Sequence, residues 1–422
     1  MTFKFDVEAV RAQFPACKLE VEGSPIAYLD APGGTQVPQR VIDRIMKYLI
    51  SENANEGGYF KAGMLAESIE EEARQAVADL LGSEACEVGF SCSSTQNNFN
   101  LAHALARRLQ PGDEIITTEM EHRCNSAPWN QLGKDGFTVK VVKLDLETQQ
   151  MDMDDYLAKL SPKTRVVALN WASNGLGTVT DVRTMIAKAH EVGAITVVDA
   201  VHYAPHFPVD VKDIDTDVLI CSAYKWFGPH IGVMYMKKEL LEDLDFYNVM
   251  CEDIATGPRK LHMGTPQYEL LAGVAEAVDF IASFGEDYVE AFKDKVNGLS
   301  GRRKNIVAAM EAIDHYEQDL AKQLRAGLRA IPGVTLYGPS EGQPRTPTVV
   351  FTMEGKMASD VTKVLGAKGI NAWDGDYYAV EIIDVLGLRN IGGMVRLGLA
   401  PYCTQADIDR VLSTIRTLAT GV

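Results

Sequence analysis

The sharpest chemical signal in the 422-residue sequence is a lysine that follows a short apolar strand. The strand reads VLICS at 218–222, and the chain continues through Lys225 to a second apolar run, IGVMYM at 231–236. Because both runs are apolar, we expect the ammonium group of Lys225 to lose part of its hydration, which lowers its pKa toward values that suit imine chemistry. A surface lysine in a turn carries the same local pattern, so this motif alone leaves both interpretations open.

An aspartate closes another predicted strand and strengthens the chemical interpretation. Asp199 lies in the segment VVDAVHYAPH, upstream of Lys225, on a strand that we expect to be a neighbour in the sheet. A pyridoxal ring needs a carboxylate beside its ring nitrogen, since a protonated pyridinium is the better electron sink. Asp199 is a candidate for that carboxylate, and an aspartate that caps the following helix is the alternative.

A hydroxyl-rich segment, SCSSTQNNFN at 91–100, precedes a predicted helical run at 101–109. The first N–H groups of a helix lack partners within the helix and favour anions, so Ser94 and Thr95 are candidates to hold a phosphate group. Serine and threonine are also ordinary helix caps, and the segment alone does not decide between these roles.

The residues above follow a pattern of alternating strands and helices. A helix is predicted at 181–192, and β-branched runs are found at 114–120, 139–144, 165–173, 194–202 and 218–225. This alternation predicts an α/β fold with a mostly parallel sheet, in which ligands bind at the carboxyl ends of the strands. Six polar side chains are expected at those ends: His122, Asn174, Asp199, His202, Ser222 and Lys225.

The last third of the chain has a different texture. A long charged helical sequence at 288–331 ends at Pro332 and Gly333, and strands are predicted at 346–353 and 394–399 before a last helix at 405–418. We therefore predict a large domain at 26–284 and a smaller α+β domain formed by 1–25 and 285–422.

Composition narrows the classes of partner and compartment. The formal net charge of −17 repels nucleic acid and anionic membranes, so an anionic ligand must be captured by local groups. The seven cysteines are odd in number and never spaced as Cys-x-x-Cys, which argues against a disulfide framework and a structural zinc site, and no metal site is predicted. The sequence has neither a signal-peptide pattern nor a run of 18 apolar residues, and we expect a cytoplasmic protein.

The ordered set of motifs resembles the class V aminotransferase family of fold-type I enzymes, which depend on pyridoxal 5′-phosphate (PLP). The similarity is strongest to the branch of group II cysteine desulfurases, selenocysteine lyases and isopenicillin N epimerases, and within it to cysteine-desulfurase-like proteins. The motifs that carry it are Tyr28-Leu-Asp30, PGDEI at 111–115, Glu121-His122, Pro128-Trp129, Ser173-Asn174, Val198-Asp199, SAYKWFGPH at 222–230, Gly264-Thr265-Pro266 and Val395-Arg396.

The resemblance implies roles around the cofactor ring. Lys225 would hold PLP as a Schiff base and carry the Cα proton, Asp199 would pair with the ring nitrogen, and His122 would stack on the ring. His202 stands where relatives have a glutamine that bonds the phenolic oxygen, and Asn174 would lie near the same oxygen. Taken singly, His122 and Asn174 could equally be a capped loop histidine and a turn residue.

The resemblance also implies roles at the two charged ends of the ligands. The residues expected to hold the phosphate are Ser94, Thr95, Ser222 and Tyr224, with Thr265 supplied by the partner subunit of a homodimer. Arg396 would bind the carboxylate of a small amino-acid substrate, because a planar guanidinium binds a carboxylate through two parallel hydrogen bonds. A strand arginine paired with a surface acid is the alternative for Arg396.

One position departs from the family pattern. Group II desulfurases carry a nucleophilic cysteine on the loop that corresponds to 373–378, and here Tyr378 stands at that position and is expected to contact substrate. A phenol cannot form a persulfide, and Cys124 and Cys403 lie elsewhere, so cysteine desulfurase is disfavoured. We predict a lyase that acts by β-elimination on a cysteine-like amino acid, such as a C–S lyase, with an aminotransferase or an epimerase as alternatives.

Two further hypotheses concern the same residues. Asp374 and Asp376 on this loop would disfavour substrates with an acidic side chain, although a solvated turn explains them equally well. A non-catalytic PLP-binding scaffold is the alternative of another class, and the intact Lys225, Asp199 and Arg396 argue against it.

Overall fold

The computed structural model describes residues 3–247, 249 and 257–420; Cys251 lies outside them. The α-helices are α1 (Val7–Ala12), α2 (Gln39–Ser51), α3 (Lys61–Leu81), α4 (Ser94–Ala106), α5 (Arg123–Lys134), α6 (Met153–Lys159), α7 (Val182–Glu191), α8 (Val211–Ile214), α9 (Lys238–Asp243), α10 (Tyr268–Gly285), α11 (Gly301–Arg329), α12 (Ala358–Ala367), α13 (Val380–Val385) and α14 (Gln405–Thr420). The strands are β1 (Glu20–Val21), β2 (Ser24–Pro25), β3 (Ala27–Tyr28), β4 (Val88–Ser91), β5 (Glu114–Thr118), β6 (Thr138–Val142), β7 (Leu144–Asp145), β8 (Gln150–Met151), β9 (Thr164–Asn170), β10 (Ile195–Asp199), β11 (Val218–Ser222), β12 (Gly232–Met236), β13 (Val334–Tyr337), β14 (Thr348–Met353), β15 (Ile370–Asn371), β16 (Trp373–Gly375) and β17 (Met394–Gly398).

A seven-stranded sheet with the order β4-β12-β11-β10-β9-β5-β6 forms the centre of the molecule. The strands β11, β10, β9, β5 and β6 pair in parallel, and β12 pairs antiparallel with both β11 and β4. The predicted α/β fold with a mostly parallel sheet is therefore confirmed. Because β12 is reversed, its first residue, Gly232, lies opposite the last residues of its neighbours, Ser222 and Ser91.

The central strands are apolar along their length because helices cover both faces of the sheet. Every residue of β11 and β12 is buried, and Asp199 is a buried polar residue at the end of β10. Short crossovers return the chain to the amino-terminal edge; α7, for example, begins where the side chain of Asp181 accepts a hydrogen bond from the backbone N–H of Thr184. The polar residues that follow the strands therefore meet at the carboxyl edge.

A four-stranded antiparallel sheet with the order β13-β14-β17-β16 packs with α11 and α12. The amino-terminal segment lies against the same part of the chain: the ring of Phe5 stacks on Tyr316 at 4.5 Å, and Arg11 pairs with Asp407. The two sheets thus lie on either side of the predicted boundary at 284–285. The division into a domain of 26–284 and one of 1–25 with 285–422 stays a prediction.

The structure corrects two helix boundaries. The helix predicted over 288–331 begins only at Gly301, because Gly298 and Gly301 adopt φ angles of 79° and 55° that interrupt a right-handed helix. The helix predicted at 101–109 begins earlier, at Ser94, where the side chain of Ser93 accepts the backbone N–H of Gln96. The hydroxyl-rich segment is thus the first turn of the helix rather than a loop before it.

Within the described ranges, no helix has both the length and the apolar composition needed to cross a membrane.

Candidate active site

A cavity of about 930 Å³ opens at the carboxyl edge of the seven-stranded sheet. Ten of the residues predicted from the sequence line it: Ser94, Thr95, His122, Asn174, Asp199, His202, Tyr224, Lys225, Tyr378 and Arg396. Two predicted residues do not: Ser222 is buried beneath the turn that carries Lys225, and Thr265 is exposed on the surface. Ten of the twelve residues predicted from the sequence thus meet in one cavity, and the two exceptions are residues that were expected to hold a phosphate group.

Lys225 lies in the turn that follows β11. Thr35 holds this turn, since its hydroxyl donates to the carbonyl oxygen of Tyr224 at 3.2 Å and accepts the backbone N–H of Phe227 at 2.9 Å. The Lys225 amine is buried, donates to the carbonyl oxygen of Pro32 and lies 4.7 Å from the centre of the Tyr224 ring. Burial lowers the pKa of Lys225 to about 7, and the charge of Arg396 acts in the same direction.

Asp199 ends β10 on the floor of the cavity. One carboxylate oxygen, Oδ1, accepts the backbone N–H of Val201 at 2.8 Å, and the other, Oδ2, accepts the thiol of Cys124 at 3.6 Å. Burial raises the pKa of Asp199 to about 6, against the opposing effect of these hydrogen bonds. A cation placed against this carboxylate would favour its ionised form.

His122 caps α5 and lies on the wall of the cavity. Its Nδ1 accepts the backbone N–H of Cys124 at 3.0 Å, which assigns the proton of the neutral ring to Nε2. Burial, together with the charges of Lys225 and Arg396, lowers the pKa of His122 to about 4. The ring is therefore neutral at neutral pH, which suits a stacking role.

Arg396 is buried at the centre of β17 and provides the cavity with a cation. Its Nη1 donates to the carbonyl oxygen of Asn174 at 2.9 Å, and its guanidinium lies 4.1 Å from the centre of the Tyr377 ring. Burial lowers its pKa to about 10, which still leaves it protonated at neutral pH. The Nε of Arg396 is buried and has no hydrogen-bond partner among the described residues.

His202 is anchored from behind the cavity. Its Nε2 lies 2.9 Å from the hydroxyl of Thr348 and 3.2 Å from that of Thr346, both on or next to β14. Burial lowers the pKa of His202 well below its ordinary value, so the ring is neutral. The contacts with Thr346 and Thr348 fix one edge of the ring, and Nδ1 is the nitrogen left to contact a ligand.

The first turn of α4 forms one end of the cavity. With Ser93 capping the helix, Ser94 and Thr95 occupy its first two positions, where backbone N–H groups have no partner within the helix. Gly232 permits this arrangement, because a Cβ there would lie 2.2 Å from the backbone carbon of Ser93. Tyr224 on the opposite side stacks on His230 with ring centres 4.6 Å apart.

Three buried polar atoms in this region have no hydrogen-bond partner among the residues that the structure describes: Asn174 Oδ1, Ser222 Oγ and Arg396 Nε. Such atoms are uncommon in folded proteins and are expected where a ligand completes the bonding. An amide oxygen that can accept from a phenolic hydroxyl and a guanidinium that can bind a carboxylate, together with an amine of lowered pKa, fit PLP and an amino acid, whereas Ser222 lies outside the cavity lining.

The loop with Tyr377 and Tyr378 has an uncommon backbone conformation, and hydrogen bonds fix it in place. Both tyrosines adopt left-handed φ angles, 51° and 61°, which are uncommon for residues other than glycine. The Tyr377 carbonyl accepts the side-chain amide of Asn174 at 2.9 Å, and the Tyr378 carbonyl accepts the backbone N–H of Arg123 at 2.7 Å. These bonds place the Tyr378 side chain, 68% exposed, at the mouth of the cavity with its ring 5.5 Å from that of His122.

Neither of the two cysteines considered from the sequence has the properties of a nucleophile. Cys124 lines the cavity, but burial and the charge of Asp199 raise the pKa of its thiol well above the ordinary value. Cys403 is buried outside the cavity lining, and its thiol donates to the carbonyl oxygen of Tyr28 at 3.3 Å. Both thiols are protonated at neutral pH, whereas a nucleophile must be a thiolate.

Sequence reasoning missed three contacts that shape the cavity. It considered Cys124 only as a substitute nucleophile and not as a partner of Asp199, and it did not anticipate Tyr377 beneath Arg396. The first contact had a signal in the sequence, because Cys124 lies two residues after His122 and is therefore expected at the same carboxyl edge of the sheet as Asp199. No sequence signal links Thr348 to His202, because they are far apart in the chain.

Comparisons with known proteins agree with this geometry. The family model described as aminotransferase class-V matches residues 27–300 and 305–411. A cysteine desulfurase of Pectobacterium carotovorum is 32% identical over 98% of both chains, and an uncharacterized protein of Mycobacterium tuberculosis is 31% identical over 98% of this chain and 99% of its own.

Solved structures show the same fold. The structure of a cysteine desulfurase from Escherichia coli covers 98% of both chains with a TM-score of 0.81 and 26% identity. A cysteine desulfurase from Thermococcus onnurineus covers both chains completely with a TM-score of 0.86 and 24% identity. With a family model and relatives that span nearly its whole length, the chain belongs to the class-V aminotransferase family and is a PLP-dependent enzyme.

Proposed function

We propose that the protein is a lyase that removes a leaving group from Cβ of a small, cysteine-like amino acid. The observation that carries the proposal is the loop at 373–378, which lines the cavity and contains tyrosines but no cysteine, while Lys225, Asp199 and Arg396 line the same cavity. A lyase needs these three groups, whereas a desulfurase also needs a thiolate near the substrate sulfur.

The residues proposed to hold PLP surround the cavity. Lys225 would bind the aldehyde carbon, His122 would stack on the ring, and Asp199 would pair with the ring nitrogen. Asn174 and His202 would bond the phenolic oxygen. The residues that would hold the phosphate are Ser94, Thr95 and Tyr224 in the cavity lining, Ser222 outside it, and Thr265 of the partner subunit. When bound, PLP withdraws the electron pair that remains at Cα after the Cα proton is lost.

Lys225 is proposed to move the proton. With a pKa of about 7, a substantial part of its amine is neutral at neutral pH and can accept the Cα proton. The protonated amine then returns this proton to the leaving group as the bond to Cβ breaks. Burial is what makes the step possible, because an exposed lysine would be almost fully protonated and unable to act as a base.

Arg396 is proposed to bind the substrate carboxylate. Its guanidinium is fixed by the carbonyl oxygen of Asn174 and by the Tyr377 ring, so little conformational freedom is lost when a carboxylate arrives. The unpartnered Nε lies on the edge of the guanidinium that a bidentate carboxylate uses. The substrate carboxylate would thereby bind a guanidinium that is already fixed in place.

The substrate side chain is proposed to be neutral or cationic. Asp374 and Asp376 both line the cavity. The hydroxyl of Thr362 donates to Asp374 Oδ1 at 2.6 Å, and the backbone N–H of Tyr378 donates to Asp376 Oδ1 at 3.0 Å. An acidic side chain brought next to them would be repelled.

The alternatives share the same cavity and differ in a single requirement. An aminotransferase must return the Cα proton to the cofactor, and an epimerase needs a second acid on the opposite face. Tyr377 is a poor candidate for that acid, since its hydroxyl donates to the carbonyl oxygen of Met394 and burial raises its pKa. Tyr378 is the remaining candidate. Tyr378 disfavours a cysteine desulfurase, because a phenol cannot form a persulfide. Arg396 argues against a non-catalytic scaffold, which has no use for a carboxylate-binding group.

We further propose that the enzyme is a cytoplasmic homodimer. The helix α2 exposes Ile42, Met46 and Leu49 along one stripe, and Phe60 and Met64 are exposed at the start of α3. Both helices pack on α10, which follows the segment with Thr265. A second copy seated on these side chains would cover them and bring Thr265 toward the neighbouring cavity.

The proposal is tested by product analysis. Purified enzyme with PLP is incubated with cysteine and S-substituted cysteines, and pyruvate, ammonia, thiol or sulfide, alanine and keto acids are measured. Pyruvate with an equal amount of thiol or sulfide supports the lyase. Alanine with persulfide on the enzyme would instead establish a desulfurase, and turnover to a keto acid that retains the side chain would establish an aminotransferase.

A further inference from the structure

Cys124 is connected to both side chains that are proposed to flank the cofactor ring. Its backbone N–H donates to His122 Nδ1 at 3.0 Å, and its thiol donates to Asp199 Oδ2 at 3.6 Å. The residue is buried and lines the cavity. A substitution of the side chain leaves the backbone bond intact, so the two connections can be tested separately.

We propose that Cys124 is a positioning residue, whose thiol holds the carboxylate of Asp199 in its ionised form and in the orientation that a ring nitrogen needs. The inference deepens the proposed function, because it rests on the pairing of Asp199 with the cofactor. It assigns the thiol as a permanent hydrogen-bond donor instead of a nucleophile.

The bonding of Asp199 supports this assignment. A carboxylate has about four lone-pair sites, and the backbone N–H of Val201 takes one on Oδ1 while the thiol takes one on Oδ2. The two donors fix the rotation of the carboxylate plane and leave other lone pairs free. A donor to the charged form stabilises that form, so loss of the thiol raises the pKa of Asp199 and makes the carboxylate easier to neutralise.

Other titratable groups face this pair and remain unchanged in the test. Glu121 precedes His122 and interacts with both Cys124 and Asp199, and Lys225 and Tyr224 approach from the turn after β11. Cys221 on the neighbouring strand is the fourth. None of these four residues is substituted in a Cys124 variant, so a change in the pH profile can be assigned to the thiol.

The experiment measures the dissociation constant of PLP against pH for the wild type and four variants. Below the pKa of Asp199 the ring nitrogen loses its anionic partner, so affinity falls on the acid side of the profile. In C124A we expect this acid limb to move upward by about half a pH unit, which is about a threefold change in the proton dissociation constant. In C124S, where a hydroxyl donates, the limb should stay at the wild-type pH or move below it.

The remaining variants separate the possible outcomes. C403A removes another buried thiol, one that lies outside the cavity lining, and should leave the limb in place. D199N should remove this limb and leave only the separate dependence on the Lys225 amine, whose pKa is about 7. If D199N keeps the wild-type profile, the proposed pairing of Asp199 with the cofactor is wrong; if D199N removes the limb but C124A does not shift it, only the role of Cys124 is wrong. Should C124A fail to fold, an upward shift in C124S overturns the inference by itself.

Discussion

The proposed binding of the substrate carboxylate by Arg396 gives the sharpest prediction. Among the described residues, the guanidinium donates one hydrogen bond, from Nη1 to the carbonyl oxygen of Asn174. Its Nε is buried and has no partner there. Two hydrogen bonds to a carboxylate, each involving charged groups, contribute about 1.5 kcal/mol apiece at the low end of the usual range. R396Q should therefore lose about 3 kcal/mol, which is about 150-fold in kcat/KM.

The assay is a cycle between two enzymes and two substrates. Steady-state kcat/KM is measured for wild type and R396Q with a substrate amino acid and with its amide, which lacks the carboxylate. The wild type should prefer the acid by about the factor that R396Q loses, and R396Q should discriminate little between acid and amide. R396K, which keeps the charge and loses the planar fork, should fall between them.

A matched control comes from an arginine on the surface. Arg389 forms two bonds with Asp384 on an exposed turn, so R389Q should keep the wild-type preference for the acid. If R396Q retained a strong preference for the acid over the amide, Arg396 would not be the carboxylate site, and the significance given to its unpartnered Nε would be wrong.

Four further predictions concern Lys225, the pH profile, the substrate side chain and the dimer. K225A should lose the visible absorbance of bound cofactor and all turnover, and an unchanged spectrum would refute its role. The Lys225 amine is free to act as a base only after substrate has displaced it from the cofactor, and its pKa is lowered to about 7, so kcat should rise with pH through about 7 and level off above it; a flat kcat profile from pH 6 to 8 would contradict this. Aspartate and cysteate should react at least about tenfold more slowly than neutral analogues, and D376N should narrow the gap. M46E should convert a dimer to a monomer in sedimentation and weaken PLP binding, whereas a monomeric wild type would exclude the homodimer.

Much of the fold and the cavity could be predicted because the polar residues of the cavity lie at the ends of strands that are recognisable in the sequence. Strands buried on both faces are apolar runs, and the residue after each run lies at the carboxyl edge, so Asp199 and Lys225 could be placed together from the sequence alone. The helix boundary at Gly301 could not, since the charged sequence before it has helical periodicity and only the left-handed conformations of Gly298 and Gly301 interrupt it.

The contacts that sequence reasoning missed are those that tertiary packing alone creates. The ring of Tyr377 faces the Arg396 guanidinium because β16 pairs with β17 and the chain that follows β16 turns back toward Arg396. The hydroxyl of Thr348 reaches His202 across the boundary between the two sheets. Neither pairing has a spacing rule, because each depends on how separate elements pack.

A common direction links the pKa shifts in the cavity. Burial lowers the pKa of Lys225 and His122 and raises that of Asp199, so in each case it favours the neutral form. Of the four groups, Arg396 starts from a far higher pKa and stays protonated at neutral pH. The groups proposed to surround the cofactor ring are thus mostly neutral before the cofactor is bound. We therefore expect the ionisation of Asp199 to be coupled to cofactor binding, and, because the net charge of the protein is −17, we expect anionic ligands to be captured by local groups such as Arg396.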